Sequence, residues 1–153
     1  MLKLITIDNF LKKDDLKRLN KIKLNKVDEY SVKVYQNTFY SKKNIVNTCI
    51  SKGFLKKIHD RYHGELIKIL NKIDYEKSKL YEFSEISVVK TGKNAKFPIH
   101  DDTPDKLLSG VIYLYPKKNT GTIFYLNKKK IVSWKENRAV FFFKKREGDL
   151  ALI

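Results

Sequence analysis

From Glu85 onward the apolar residues of this chain change period, and no other feature constrains the fold as strongly. Before it, in "SKGFLKKIHDRYHGELIKILNKI", Leu55, Ile58, Tyr62, Leu66, Ile69, Leu70 and Ile73 form one stripe at helical spacing, which Gly64 weakens without breaking. After it, the short segments "ISVVKT", "LLSGVIYLY", "GTIFYL", "KIVSW" and "AVFFF" alternate with period two. Turn-like "TGKN", "PKKNTG", "LNKKK" and "KENR" separate them. Strands at intervals of roughly 8–12 residues predict an antiparallel sandwich or barrel.

The N-terminal part is mixed. "LKLITID" reads as a short strand that ends at Asp8 or Asn9. In "FLKKDDLKRLNKIKL", Leu11, Leu16, Leu19, Ile22 and Leu24 recur at near-helical spacing, with Asp14 and Asp15 placed to cap the helix start. "YSVKVYQNTFY" (30–40) is β-branched and aromatic, so it reads as strand or extended chain. The fold class expected is α+β. A chain of 153 residues is one domain by size, with 1–80 mainly a helical support and 81–153 a β-rich half.

The formal charge of +16 raises a nucleic-acid role. Against it, 29 of the 33 basic residues are Lys, whereas bidentate phosphate and base recognition favours Arg. The lysine doublets are also spread along the whole chain. Cys49 is the only cysteine, so no intramolecular disulfide can form and a reducing cytoplasm is the expected compartment. No apolar run approaches the ~20 residues that span a bilayer.

In "FPIHDDTPDK", His100 and Asp102 are two positions apart, so on extended backbone both side chains point to one side and Asp101 points away. An imidazole and a carboxylate are suitable Fe(II) ligands, and two His with one carboxylate make the facial triad of non-haem iron oxygenases. The alternative is a turn capped by Asp101 and Asp102 ahead of Pro104. His59 and His63, four apart on the long helix, can share a metal or can be half-buried histidines at the edge of the stripe.

In the order of its segments the chain resembles the prolyl-4-hydroxylase-like 2-oxoglutarate/Fe(II)-dependent dioxygenases. "ITIDNFLKKDDLKRL" is similar to that family's first strand and helix, and "FLKKIHDRYHGELIKIL" to its long supporting helix. "ISVVKTGKNAKFPIHDD" is similar to the strand, glycine loop and H-x-D, "LLSGVIYLYPKKNTGTIFY" to the following strand pair, and "VSWKENRAVFFF" to the later turn and strand. The resemblance implies helices packed on a double-stranded β-helix of the jelly-roll type. It also implies hydroxylation of a protein side chain or a small molecule, with Fe(II) and 2-oxoglutarate as cofactors and ascorbate an allowed addition. His100 and Asp102 match the first two iron ligands. Tyr113 matches a tyrosine that contacts the 2-oxoglutarate carboxylate in some relatives, or is an inward-facing core aromatic. Ile123 matches an apolar wall of the cosubstrate pocket, a role indistinguishable from core packing.

Three departures from the family pattern stand beside these matches. No histidine follows His100, no later strand carries a carboxylate-binding Arg or Lys, and Thr91 stands where many relatives have tyrosine. The chain stops on the apolar "LALI", which reads as the start of a strand lacking its partners, so a domain shortened at its last strands is expected. The second function expected is accordingly a catalytically silent domain of the same fold that binds nucleic acid or a partner protein through its basic surface.

Overall fold

The computed structural model describes residues 2–22, 25–29, 32–41, 44–45, 51–82, 84, 86–91, 102, 106–125 and 129–144. In chain order they form β1 (Leu2–Ile7), α1 (Lys13–Leu19), β2 (Asn25–Glu29), β3 (Val32–Ser41), β4 (Asn44–Ile45), α2 (Lys52–Ile73), α3 (Tyr75–Ser78), β5 (Ile86–Thr91), β6 (Ser109–Ile112), β7 (Thr122–Tyr125), β8 (Lys129–Val132) and β9 (Ala139–Lys144). The elements are helices and small antiparallel sheets, so the fold is α+β. Two compact units form, Met1–Asn20 with Pro98–Ile153, and Lys21–Phe97. The period switch at Glu85 marks a change of local structure, whereas long-range strand pairing draws the units.

In the first unit β9 lies between β1 and β6, antiparallel to both. Its pairs run from Leu2↔Lys144 to Ile7↔Ala139 on one side and from Ser109↔Phe142 to Ile112↔Ala139 on the other. Ala139, Val140, Phe141, Phe142 and Phe143 are all buried. A central strand covered on both faces needs no polar side, which is why "AVFFF" is continuously apolar. Val140 and Phe142 join Tyr113, Phe124 and Val132 in one core cluster, against which Leu4, Val111 and Trp134 pack. Phe124 meets Phe142 edge to face at 5.2 Å. Phe141 belongs to the alternate set, meeting Phe10 at 5.3 Å and lying so close to Gly110 that a Cβ there would come within 2.6 Å of its ring.

β7 and β8 form a separate antiparallel pair, Thr122↔Val132 to Tyr125↔Lys129. Gly121 leads into it with φ 91°, where an added Cβ would overlap the Val132 carbonyl oxygen. Both the positive φ and the close approach require glycine.

The turn before β9 is closed by Asn137, which adopts φ 61°, a left-handed conformation that asparagine tolerates better than most residues. Its side chain is buried and pairs with both main-chain polar groups of one residue 126 positions earlier: Oδ1 accepts from Leu11 N–H and Nδ2 donates to Leu11 C=O, both at 2.8 Å. Its main chain accepts from Phe10 N–H at 3.1 Å and donates to Tyr113 C=O at 2.7 Å, while Tyr113 N–H donates to Arg138 C=O at 2.9 Å. The β1–α1 link, the end of β6 and the start of β9 are thereby tied at one residue. Nearby, Asp8 is held by Arg138, through two hydrogen bonds of 2.7 and 3.2 Å, and by Lys135 at 2.7 Å. These partners hold the Asp8 carboxyl far below the usual aspartate range, the Arg138 contact contributing most.

α1 is shorter than its leucine pattern suggests. It ends at Leu19 with Asn20 as C-cap, and Lys12 is the N-cap without a side-chain cap bond. Asp14 and Asp15 lie in its first turn, where carboxylates favour the helix dipole; Asp15 is buried.

In the second unit β3 is central, pairing antiparallel with β2, β4 and β5. "ISVVKT" therefore joins "VKVYQNTFYS" rather than the strands that follow it. Ser51 is the N-cap of α2, its Oγ accepting from Phe54 N–H, and the helix buries Phe54, Ile58, Tyr62, Ile69, Leu70 and Ile73 as one stripe. Asp74 ends α2 and caps α3 by accepting from Lys77 N–H at 3.1 Å. Among the described residues no helix is long and apolar enough to cross a membrane.

Gly121→Ala should destabilise the protein by about 2 kcal/mol or more, since alanine must adopt a left-handed backbone and displace Val132. A fall in the urea midpoint at constant slope checks this.

Candidate functional site

Asp102 lies in the segment that enters β6. Four residues on, the Lys106 ammonium donates to Asp102 Oδ1 at 2.7 Å, and the hydroxyl of Ser109, the first residue of β6, donates to Oδ2. The carboxylate is 20% exposed, so it is neither sealed in the core nor fully in water. Its lone pairs face a cation and a hydroxyl, and a metal ion could enter only by competing with Lys106. His100 and Asp101 lie outside the described residues, as do Cys49, residues 92–94 of the "TGKN" turn and "LALI".

Tyr113 sits one residue beyond β6 and is 1% exposed. Its hydroxyl donates to Thr122 Oγ1 at 2.8 Å, with Val132 C=O at 3.4 Å, and its ring stacks on Trp134 with centroids 4.4 Å apart and planes 15° from parallel. Trp134 in turn donates its indole N–H to Pro116 C=O. Burial pushes the Tyr113 phenol above its ordinary value, so it stays a neutral donor at pH 7. Ile123 is half-buried on β7 opposite Ile131 of β8, and strand alternation puts it on the other face from the buried Phe124.

Asp102, Tyr113 and Ile123 thus belong to one unit, but Tyr113 and Ile123 occupy different settings, a core cluster and the outer side of a strand pair. Lys106, Ser109 and Thr122, which complete the polar contacts, were not singled out by sequence pattern. The i, i+4 spacing of Asp102 and Lys106 is a signal that could have found the first of them; Thr122 requires knowledge of the fold. Among the described residues no group of three or more His, Cys, Asp or Glu side chains is arranged to hold a metal ion. Comparison with protein-family models, curated proteins and solved structures finds no match.

Tyr113→Phe should cost about 1–2 kcal/mol, because Thr122 Oγ1 loses its buried donor. Thermal or urea unfolding measures it, and restoration of stability by adding Thr122→Val would identify the hydroxyl pair as the source.

Proposed function

We propose that the chain is a 2-oxoglutarate/Fe(II)-dependent dioxygenase-like domain, with the β1–β9–β6 sheet and the β7–β8 pair as parts of a double-stranded β-helix. The single observation that carries this reading is Asp102, a partly exposed carboxylate held at the mouth of β6 and two positions after His100. An imidazole nitrogen and a carboxylate oxygen suit ferrous iron, and they supply two of the three positions of a facial triad. No histidine follows His100, so the donor set within that stretch fits iron at two points and leaves the third to another group.

When bound, iron with 2-oxoglutarate supplies the activation of dioxygen toward a C–H bond of a protein side chain or small molecule. The chain's own residues position and shield. Ser109 would hold Asp102 Oδ2 in place while Lys106 gives up Oδ1. Tyr113 would reach a cosubstrate carboxylate only by releasing Thr122, so its first role in this proposal is to brace the wall between β6 and β7. Ile123 is proposed as apolar wall. A single cysteine suits the cytoplasm, which the proposal takes as the compartment.

A second reading is favoured by the pairing of Asp102 with Lys106 and by the exposed lysines 117, 118, 129 and 130, with Tyr115 exposed beside the first two in sequence. In it the domain is catalytically silent and binds nucleic acid or an acidic partner through this basic surface.

Anaerobic calorimetric titration with Fe(II) separates the two. On the dioxygenase reading His100→Ala and Asp102→Ala abolish iron binding in that titration and succinate formation in a separate aerobic assay with 2-oxoglutarate, and Lys106→Ala tightens iron binding up to about 5-fold by removing a competitor worth about 1 kcal/mol. On the silent-domain reading none of these changes moves iron affinity, and oligonucleotide binding falls steeply with salt.

A further inference from the structure

Two of the chain's three histidines, His59 and His63, stand one turn apart on α2. Their rings stack with centroids 4.8 Å apart and planes 21° from parallel. Each ring is oriented through the same nitrogen. His59 Nδ1 lies 3.3 Å from Asp60 Oδ1, and His63 Nδ1 lies 3.3 Å from the Tyr81 hydroxyl, which is 2.9 Å from Ser84 Oγ. Asp60 also accepts from Lys56, and the Tyr81 ring lies tilted against His63 at 5.2 Å.

A carboxylate oxygen accepts, so the Asp60 contact suits a proton on His59 Nδ1. Tyr81 either accepts from His63 Nδ1 while donating to Ser84 or donates to it while accepting from Ser84, and the first arrangement places the lone pair of His63 on Nε2. Histidines that ligate metals are oriented in this way, with the second ring nitrogen donating to an oxygen. Burial, then the neighbouring His59, lowers the pKa of His63 and keeps it neutral at pH 7 against the opposing pull of Asp60.

We propose that His59 and His63 form a two-histidine chelate for a divalent late transition metal ion of the Zn(II), Ni(II), Cu(II) class, with Asp60 and Tyr81 as positioning residues. Bonds of about 2.0–2.1 Å at a tetrahedral angle require ligating nitrogens roughly 3.3 Å apart, so the rings turn toward each other on binding. No third His, Cys, Asp or Glu joins them among the described residues, and water or an external ligand completes the sphere. The site shares no residue with the His100–Asp102 reading and stands without it.

The test is calorimetric titration of the whole protein with Ni(II) at pH 7.5, for wild type and the variants His59→Asn, His63→Asn and His100→Asn. Far-UV circular dichroism confirms that each variant keeps its helix. One site is expected in wild type and in His100→Asn, weakened at least 10-fold in both other variants, and weakening in wild type as pH falls below about 6.5. Unchanged affinity in both helix variants, loss in only one of them, loss in His100→Asn alone, or no binding by wild type would each overturn the proposal.

Discussion

The carboxamide of Asn137 pairs with both polar groups of Leu11, and the first unit is organised around that contact. Leu11 is buried in the link between a strand and a helix, where no ladder serves its N–H and C=O. Each group left unsatisfied there would cost about 1–3 kcal/mol. One side chain satisfies both, and the backbone of the same residue binds Phe10 and Tyr113. The start of the chain is thus held against β9 and the end of β6, so the β1–β9–β6 register and the Tyr113 cluster share one anchor.

Much of this organisation is legible in the residues. The α2 stripe, the strand around 32–41, the "KENR" turn with its left-handed Asn137 and the unbroken apolar run of β9 each carry a local signal of period or turn chemistry. Pairing is less legible. β1 and β9 lie at opposite ends of the chain, and nothing in "LKLITI" names "AVFFFK" as its partner. β5 continues the alternating pattern of the later strands yet pairs with β3, because alternation specifies a half-covered face and not the neighbour that covers it. β2, "NKVDE", lacks an apolar pattern altogether and exists through its ladder with β3. Helical spacing through Leu24 overstates α1, which stops at Leu19.

At the candidate site the same distinction holds. The H-x-D spacing identifies Asp102 as a residue with chemistry, but the cation and hydroxyl that occupy its oxygens come from Lys106 and Ser109. Tyr113 is recognisable as an inward aromatic in "VIYL", whereas its partner Thr122 is reached only across the loop that Gly121 closes. The histidine pair on α2 is visible as an i, i+4 spacing; the oxygens that orient its rings are visible only in the fold.

Native-state hydrogen exchange at the Leu11 and Phe10 amides tests the Asn137 anchor most directly. Both should be protected to the level of the β1–β9 ladder in the wild-type protein and should lose that protection together in Asn137→Ala. Exchange of both amides at the rate of unstructured chain in the wild type, with the β9 amides still protected, would contradict it.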